Sequence, residues 1–236
     1  MSDQGTGPVK RIGAFANAWW GRTIAAMLAL IVANAAATAN LAHGAASASG
    51  PSAIVQSLIA QATAVLQDPG ASAPVRQQKL RALAKANFDF AQMARSALGY
   101  HWRSLTADQR IQFVAVFTAF IEDVYLSKLQ EYGVKHARQD IQGSNINFTG
   151  ESMLSPGYAE VHSTVSLASH PSPVRVDYLM VGDADAWKIY DIQVDSISVI
   201  ANYRNQFNRV INERGYQVLV DSLREKAKQL SGSIGS

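Results

Sequence analysis

The segment Trp187–Phe207, WKIYDIQVDSISVIANYRNQF, decides the fold of this chain of 236 residues. Its first part, residues 187–194, mixes aromatic and β-branched residues at the spacing of a buried strand. From Val199 onward, apolar residues recur at helical spacing with almost no linker before them. The segment therefore predicts a strand that runs directly into an amphipathic helix. Its polar residues match no hydrolytic or redox set.

Helical patterns come before this segment. Apolar residues over 51–67 share one helical face, and the turn residues 68–70 end that pattern. Pro74 can open a second helix. Asp89 predicts the N-cap of a third helix that ends at Gly99, since glycine suits a left-handed residue after a helix.

A fourth and longer helix is predicted next. Thr106 and Gln109 match a capping box at its start, and Gly133 marks its expected end. A broad apolar stripe runs along it and includes Phe113, Phe117, Phe120 and Ile121. A stripe this wide faces either a thick core or a hydrophobic cavity, and the pattern leaves both interpretations open.

The hydrophobic period then changes from helical spacing to two. Alternation over 159–167 and 174–180 predicts two strands, residues 187–194 a third, and residues 145–149 a weaker one. After Val199 the chain is helical again, with a break at Gly215. Helices, then a run of strands, then helices predict an α+β fold with an antiparallel meander.

The N-terminus predicts export. Three basic residues precede an uncharged run over 23–49, and A-x-A patterns lie at 37–39 and 46–48. This order is typical of a secretory signal peptide, so we expect a cleaved signal over 1–48 and one domain over 49–236. An uncleaved membrane anchor is the alternative, although the small residues that follow the apolar core contribute little transfer energy.

Composition excludes several classes of function. The chain carries 21 Lys+Arg against 18 Asp+Glu and no Cys, so no disulfide and no Cys-ligated metal is expected. The residues after 48 are nearly neutral and hold no cluster of basic residues, so no nucleic-acid partner is expected. Neither a P-loop nor a dinucleotide fingerprint nor a G-x-S-x-G motif occurs.

Few residues suggest catalysis or metal binding. His162 and His170 flank one predicted strand and could meet a third ligand, but solvated turn histidines are the alternative. Among the carboxylates Asp177, Asp191 and Asp195, Asp191 beside Tyr190 could act as the buried carboxyl of a ketosteroid-isomerase-like cone. Alternatively, Asp191 and Asp177 could face solvent or cap loops. Arg204 could bind a lipid phosphate or a partner's carboxylate, or form a surface salt bridge.

Four segments together resemble the MlaC family of periplasmic phospholipid-binding proteins. They are FDFAQMARSALGYHWRSLTADQR at 88–110, the Phe-rich helix over 111–132, VRVDYLM at 174–180, and the segment 187–207. The ending RGYQVLVDSLREK at 214–226 also fits the family. This chain departs from the family at Asp195-Ser196, where members usually carry an acidic residue followed by Gly.

The resemblance implies an α+β fold in which N- and C-terminal helices pack on a curved antiparallel sheet of about four strands, with an apolar cavity between them. It implies a periplasmic carrier, with no cofactor and no enzymatic activity, that binds phospholipid acyl chains. Its expected partners are an inner-membrane ABC transporter bearing an MCE-domain protein and an outer-membrane lipoprotein complex. A hopanoid-pathway lipid-binding protein and, less in keeping with the motifs, a ketosteroid-isomerase-like enzyme are the alternatives.

With the resemblance, the Phe stripe and the inward faces of the strands become the expected walls of a lipid pocket. The expected lipid-binding residues are Met93, Leu98, Phe113, Phe117, Phe120, Ile121, Val165, Val176, Tyr178, Ile189, Val199 and Tyr203. Arg204 is the expected contact for a headgroup or a partner. No metal-binding or catalytic residue is predicted.

Overall fold

The computed structural model of the chain describes residues 50–136, 145–166, 172–183 and 186–232. Its helices are α1 (Pro51–Gln67), α2 (Ala73–Asn87), α3 (Phe90–Leu98), a 3₁₀ helix (Gly99–Ser104), α4 (Ala107–His136), α5 (Val199–Arg214) and α6 (Tyr216–Gly232). Its strands are β1 (Asn145–Ser155), β2 (Tyr158–Ser166), β3 (Val174–Val181), β4 (Lys188–Val194) and β5 (Ile197–Ser198). Within these ranges, no helix combines the length and the hydropathy needed to cross a bilayer.

The strands form one sheet in the order β1-β2-β3-β4-β5, and every neighbouring pair is antiparallel. The predicted α+β fold with a meander is therefore confirmed. The sheet has one strand more than expected because β5 pairs back on β4 immediately before α5 begins. Register shifts interrupt the β1–β2 and β3–β4 ladders, and such irregularities bend and twist the strands that carry them.

The caps at several helix ends match the sequence. Asp89 accepts a hydrogen bond from Gln92 N at the start of α3, as predicted. Thr106 and Gln109 exchange the two hydrogen bonds of a capping box at the start of α4. The predicted end of α4 at Gly133 is wrong, because the helix continues to His136. One mid-helix glycine costs only about 1 kcal/mol, which neighbouring helical hydrogen bonds can offset.

The apolar residues separate into two clusters. The helix cluster comprises Met93, Ala94, Ala97, Leu98, Leu105, Phe113, Phe117, Phe120, Ile121, Val124, Val199, Ile200, Tyr203, Phe207, Leu219, Val220 and Leu223. The sheet cluster comprises Val55, Ile59, Ala159, Val161, Val165, Val174, Val176, Tyr178, Met180, Trp187, Ile189 and Val194. The helix cluster is formed by residues of α3, α4, α5 and α6, together with Leu105. The sheet cluster lies between α1 and one face of the sheet, here called the inner face.

The junction between β4 and α5 contains two strained residues. Asp195 and Ser196 form the tight turn before β5, with φ angles of 48° and 66°. Asp195 is fixed in this conformation because its backbone N–H donates to Arg175 O and its side chain accepts from Arg175 N. Ser196 carries the cost of a left-handed conformation, which glycine adopts freely.

Ser196→Gly should therefore stabilise the protein. We expect the free energy of unfolding to rise by about 0.5–1 kcal/mol, since relief of the left-handed strain exceeds the added entropy of the unfolded chain. Urea unfolding followed by circular dichroism measures this change. Ser57→Gly, on the exposed side of α1, is the control and should destabilise by about 1 kcal/mol. A loss of stability in Ser196→Gly would show that the turn is not strained.

Candidate functional site

The expected lipid-binding residues divide between the two clusters. Eight of them belong to the helix cluster: Met93, Leu98, Phe113, Phe117, Phe120, Ile121, Val199 and Tyr203. The other four belong to the sheet cluster: Val165, Val176, Tyr178 and Ile189. All of them are buried, so the structure brings the predicted residues inside the protein, but it places them around two centres rather than one.

The Phe stripe of α4 packs against aromatic residues of α5. Phe117 is fully buried, and its ring centroid lies 6.3 Å from that of Tyr203 and 6.2 Å from that of Phe207, both in edge-to-face arrangements. Phe113 makes a further edge contact with Phe207 at 6.2 Å. Such pairs add about 0.5–1.5 kcal/mol each beyond the burial of their area. In this structure the stripe therefore forms a packed core around which α3 and α6 are arranged.

The inner face of the sheet is covered by α1, a contact that sequence periodicity did not predict. Val55 and Ile59 of α1 pack into the sheet cluster. The start of α1 is joined to β1 as well, because Ser52 N donates to Glu151 Oε2 at 2.9 Å. Glu151 thus occupies the end of α1 where an anionic group satisfies free N–H groups and the helix dipole. Sequence periodicity does not show which strand lies beside the start of α1, so it could not predict Glu151 as the partner of Ser52.

The two clusters meet at the segment between α2 and α3. Phe88 packs against both clusters and pairs with Ile189 of β4 in an isolated bridge. Asp89 N donates to Ile189 O at 2.9 Å, which joins the start of α3 to the sheet. The ring of Phe88 lies 6.0 Å from that of Phe90. A half-buried aromatic segment thus separates the sheet from the helices along β4.

Two tyrosines add polar atoms to the helix cluster without adding charge. The Tyr125 hydroxyl interacts with that of Tyr203, and burial raises the pKa of both groups. Burial also raises the pKa of the Tyr178 hydroxyl in the sheet cluster. These phenols remain protonated at physiological pH, so they can donate hydrogen bonds but supply no negative charge to a bound molecule.

Asp191 caps a helix. Its Oδ1 accepts hydrogen bonds from Ile192 N at 2.8 Å and from Ile200 N at 3.1 Å, and its Oδ2 accepts one from Ser198 Oγ. Ser198 in turn accepts from Ala201 N, so both side chains satisfy N–H groups in the first turn of α5. Asp191 was considered either as a catalytic carboxyl or as a cap, and these hydrogen bonds are those of a cap. They also explain how the strand can pass directly into the helix.

The charge of Asp191 should make stability depend on pH. Burial raises the pKa of its carboxyl above the ordinary value of 3.8, against the opposing effect of its hydrogen bonds. The folded state then holds the proton more tightly than the unfolded state. The contribution of this group is therefore largest below pH 3.8 and is lost as pH rises through the raised pKa.

Asp191→Asn should flatten the acidic part of the stability profile. We expect the free energy of unfolding at neutral pH to change by no more than about 1–2 kcal/mol, because Asn retains an acceptor for the two backbone N–H groups. Denaturant titrations at a series of pH values measure the slope. Asp221→Asn, at a carboxylate that is 60% exposed, is the control for removal of a surface carboxyl group. An unchanged slope in Asp191→Asn would refute the assignment.

Arg204 makes a contact that the sequence did not predict. Its Nε donates to the backbone carbonyl of Ser96 at 2.7 Å, in the last turn of α3. The side chain also covers Gly99, where an added Cβ would lie 3.1 Å from Arg204 Cδ. Arg204 therefore joins α5 to the end of α3, where a positive charge is favourable. The side chain remains exposed, and the role with a headgroup or a partner stays a prediction.

A second buried polar group connects α2 to α4. Arg81 contacts Asp123 and lies 4.0 Å from Glu122, and Lys85 lies 3.9 Å from Glu122. Burial raises the pKa of the Glu122 and Asp123 carboxyls. Leu80 is the one buried residue of α2, and these ion pairs add contacts between α2 and α4. Helical periodicity did not single them out, because charged residues normally face solvent.

The outer face of the sheet carries the second carboxylate considered as a catalyst. Asp177 is buried and lies next to His162 and Arg175 rather than in the apolar interior. It therefore does not lie at the bottom of a closed apolar cone. His170, the other histidine considered with His162, lies outside the described residues.

Comparison with known proteins identifies the family. The family model described as MlaC protein matches residues 56–225. The chain belongs to the MlaC family. A Haemophilus influenzae relative, the intermembrane phospholipid transport system binding protein MlaC, is 22% identical over 167 residues, which cover 70% of this chain and 72% of that protein.

A solved structure shares the MlaC fold seen here. The phospholipid-binding protein from Ralstonia solanacearum, in complex with a phospholipid, matches with a TM-score of 0.59 and 24% identity. The match covers 76% of this chain and 97% of that chain. The MlaC family match begins in α1, earlier than the resemblance that started at Phe88, and extends into α6. All members of both apolar clusters except Val55 therefore lie within the residues that the family model matches.

Proposed function

We propose that this protein is a periplasmic lipid carrier that binds the acyl chains of a phospholipid between its helices and its sheet. The observation that carries the proposal is the fold shared with the R. solanacearum protein, which was solved with a phospholipid bound. The H. influenzae relative supports it, since it is the binding protein of an intermembrane phospholipid transport system. No residue set in the described ranges favours an enzymatic alternative over this one.

The site of binding follows from the two clusters. A phospholipid carries two apolar chains and a charged headgroup, so it needs long apolar walls and one polar opening. The helix and sheet clusters supply such walls on the two sides of Phe88, and separation of α1 from the sheet would expose the sheet cluster. All the predicted wall residues are buried in one or the other of these clusters, which supports the proposal.

Arg204 is our candidate for the headgroup contact. Its hydrogen bond to Ser96 O uses Nε, which leaves the two terminal nitrogens of the guanidinium to approach a phosphate. Arg204 is an exposed residue of α5, and its side chain lies against the C-terminal end of α3. A lipid held with its chains in the interior and its phosphate at this position would keep its charge in water.

The hydrophobic effect explains why a carrier is required. Each buried methylene is worth about 0.8 kcal/mol, so exposing a chain of about 16 carbons to water costs about 12 kcal/mol. Unaided transfer across an aqueous compartment is therefore very slow. The same energy implies tight retention by the carrier, so release requires a partner that opens the interior or competes for the lipid. We propose an inner-membrane ABC transporter bearing an MCE-domain protein and an outer-membrane lipoprotein complex as these partners.

Export is part of the proposal. The basic residues, the apolar run and the A-x-A patterns before residue 49 support a signal peptide that directs the domain to the periplasm. N-terminal sequencing of the secreted protein tests this point. We expect a mature chain that starts shortly after one of the two A-x-A patterns. A chain that retains residues 1–30 would support an anchored form instead.

A loading assay tests the carrier function. Protein stripped of lipid with mild detergent is incubated with vesicles that contain a labelled phospholipid, and the vesicles are then removed by flotation. We expect saturable label in the protein fraction and little loss of it to lipid-free buffer. A protein fraction without label, although circular dichroism shows it folded, would contradict the proposal.

A further inference from the structure

The outer face of the sheet carries a cluster of side chains that lipid binding does not use. Glu160 and His162 project from β2, and Asp177 lies on β3 directly opposite His162 in the strand register. One ligand atom from each of the three lies within 4.8 Å of the others. Asp177 is 1% exposed, whereas Glu160 and His162 are half-buried and reachable from solvent.

We propose that Glu160, His162 and Asp177 form a binding site for a divalent transition-metal ion of the Zn²⁺ type. One imidazole nitrogen and two carboxylates are a donor set that suits such ions. His162 Nδ1 and Asp177 Oδ1 are separated by 2.9 Å. In a tetrahedral zinc site, two ligands at bond lengths of about 2.05 Å lie about 3.3 Å apart. The two atoms now lie at hydrogen-bond distance, and they would have to separate by about 0.4 Å to bind the ion.

The surrounding groups position these ligands. Ser152 Oγ lies 3.2 Å from His162 Nε2, so it can accept the proton of that nitrogen and leave Nδ1 free to bind an ion. Arg175 Nε lies 2.7 Å from Asp177 Oδ2, which leaves Oδ1 directed at His162. Both contacts orient a ligand from outside the set, as the partners of metal ligands in proteins commonly do.

The charge of the site favours a cation. Two carboxylates and one guanidinium sum to a net charge of about −1 when the imidazole is neutral, and a divalent ion reverses that sign. The imidazole distinguishes the expected ion from Mg²⁺, which prefers oxygen ligands and retains several waters. Zinc should therefore bind in preference to magnesium.

Isothermal titration of the purified chain with zinc chloride, in a buffer that does not chelate, tests the site. We expect one Zn²⁺ per chain, and we expect His162→Gln and Glu160→Gln each to weaken binding by at least about tenfold. Glu225→Gln, at an exposed carboxylate of α6, is the matched control and should bind as the unchanged chain does. Ser152→Ala should weaken binding less than removal of His162.

Three outcomes would overturn the proposal. They are no saturable zinc binding, binding that is unaffected by His162→Gln, and equal competition by magnesium, which would indicate only a general attraction of cations. Cobalt absorption gives a second readout, because its visible bands change when a histidine nitrogen is among the ligands. If His162→Gln fails to fold, Glu160→Gln decides the question, since Glu160 is only half-buried. Lipid loading plays no part in these measurements.

Discussion

Phe117→Ala should lower the free energy of unfolding by about 3–5 kcal/mol, which is a large part of the stability of a typical domain. Phe117 is fully buried, and its ring contacts the rings of Phe113, Tyr203 and Phe207 at centroid distances of 6.0–6.3 Å. Its removal leaves a cavity at the place where α4 and α5 pack together. Chemical denaturation followed by tryptophan fluorescence or circular dichroism measures the effect.

Ile111→Ala is the control for this substitution. Ile111 lies on the same helix but is 71% exposed, so its truncation should change stability by less than about 0.5 kcal/mol. A cost below about 1 kcal/mol for Phe117→Ala would show that the Phe stripe surrounds an open cavity in the lipid-free protein. That outcome would favour the cavity over the core as the interpretation of the stripe.

Val165→Lys should reduce the bound phospholipid by more than about tenfold, because an ammonium group in an apolar wall loses its hydration without gaining a partner. Val165 is fully buried in the sheet cluster and pairs with Val174 near the end of the sheet. Its position near the end of β2 should let the domain fold around the change. The measurement is the ratio of phospholipid to protein after gentle purification.

Thr164→Lys is the matched control. Thr164 is adjacent in the chain but points to the outer face, so the same charge there should leave the lipid content unchanged. Val165→Thr keeps the volume and adds only a hydroxyl, and it should cause a partial loss. Unchanged lipid content in a folded Val165→Lys variant would remove Val165 from the wall of the pocket.

The sequence predicted the fold in some detail because local signals agreed with it. Residues 187–207 become β4, the turn, β5 and α5, in the order that their spacing indicated. Helix α1 begins and ends where its apolar pattern predicted, because the turn residues after Gln67 end the helix. The sequence predicted only the first part of β1, because Gly150 and a register shift interrupt the alternation of apolar and polar residues. It did not predict β5, because a strand of two residues is too short to show such alternation.

The site was less predictable than the fold. Periodicity shows which residues are buried, but it does not show which buried faces meet. The predicted wall residues therefore appeared as one set, although the structure divides them between two clusters that meet at Phe88. The roles of Asp191 and Arg204 depend on contacts with α5 and α3 that follow only from the packing of distant segments. Likewise, the pairing of His162 with Asp177 depends on strand register.

Native mass spectrometry of the mature protein, purified without detergent, tests the central claim most directly. We predict a mass increment equal to that of a phospholipid, and recovery of the same lipid by organic extraction in near-stoichiometric amount. The increment should be lost in Val165→Lys and retained in Thr164→Lys. A folded protein that carries no phospholipid, and that takes up none from vesicles, would contradict the account.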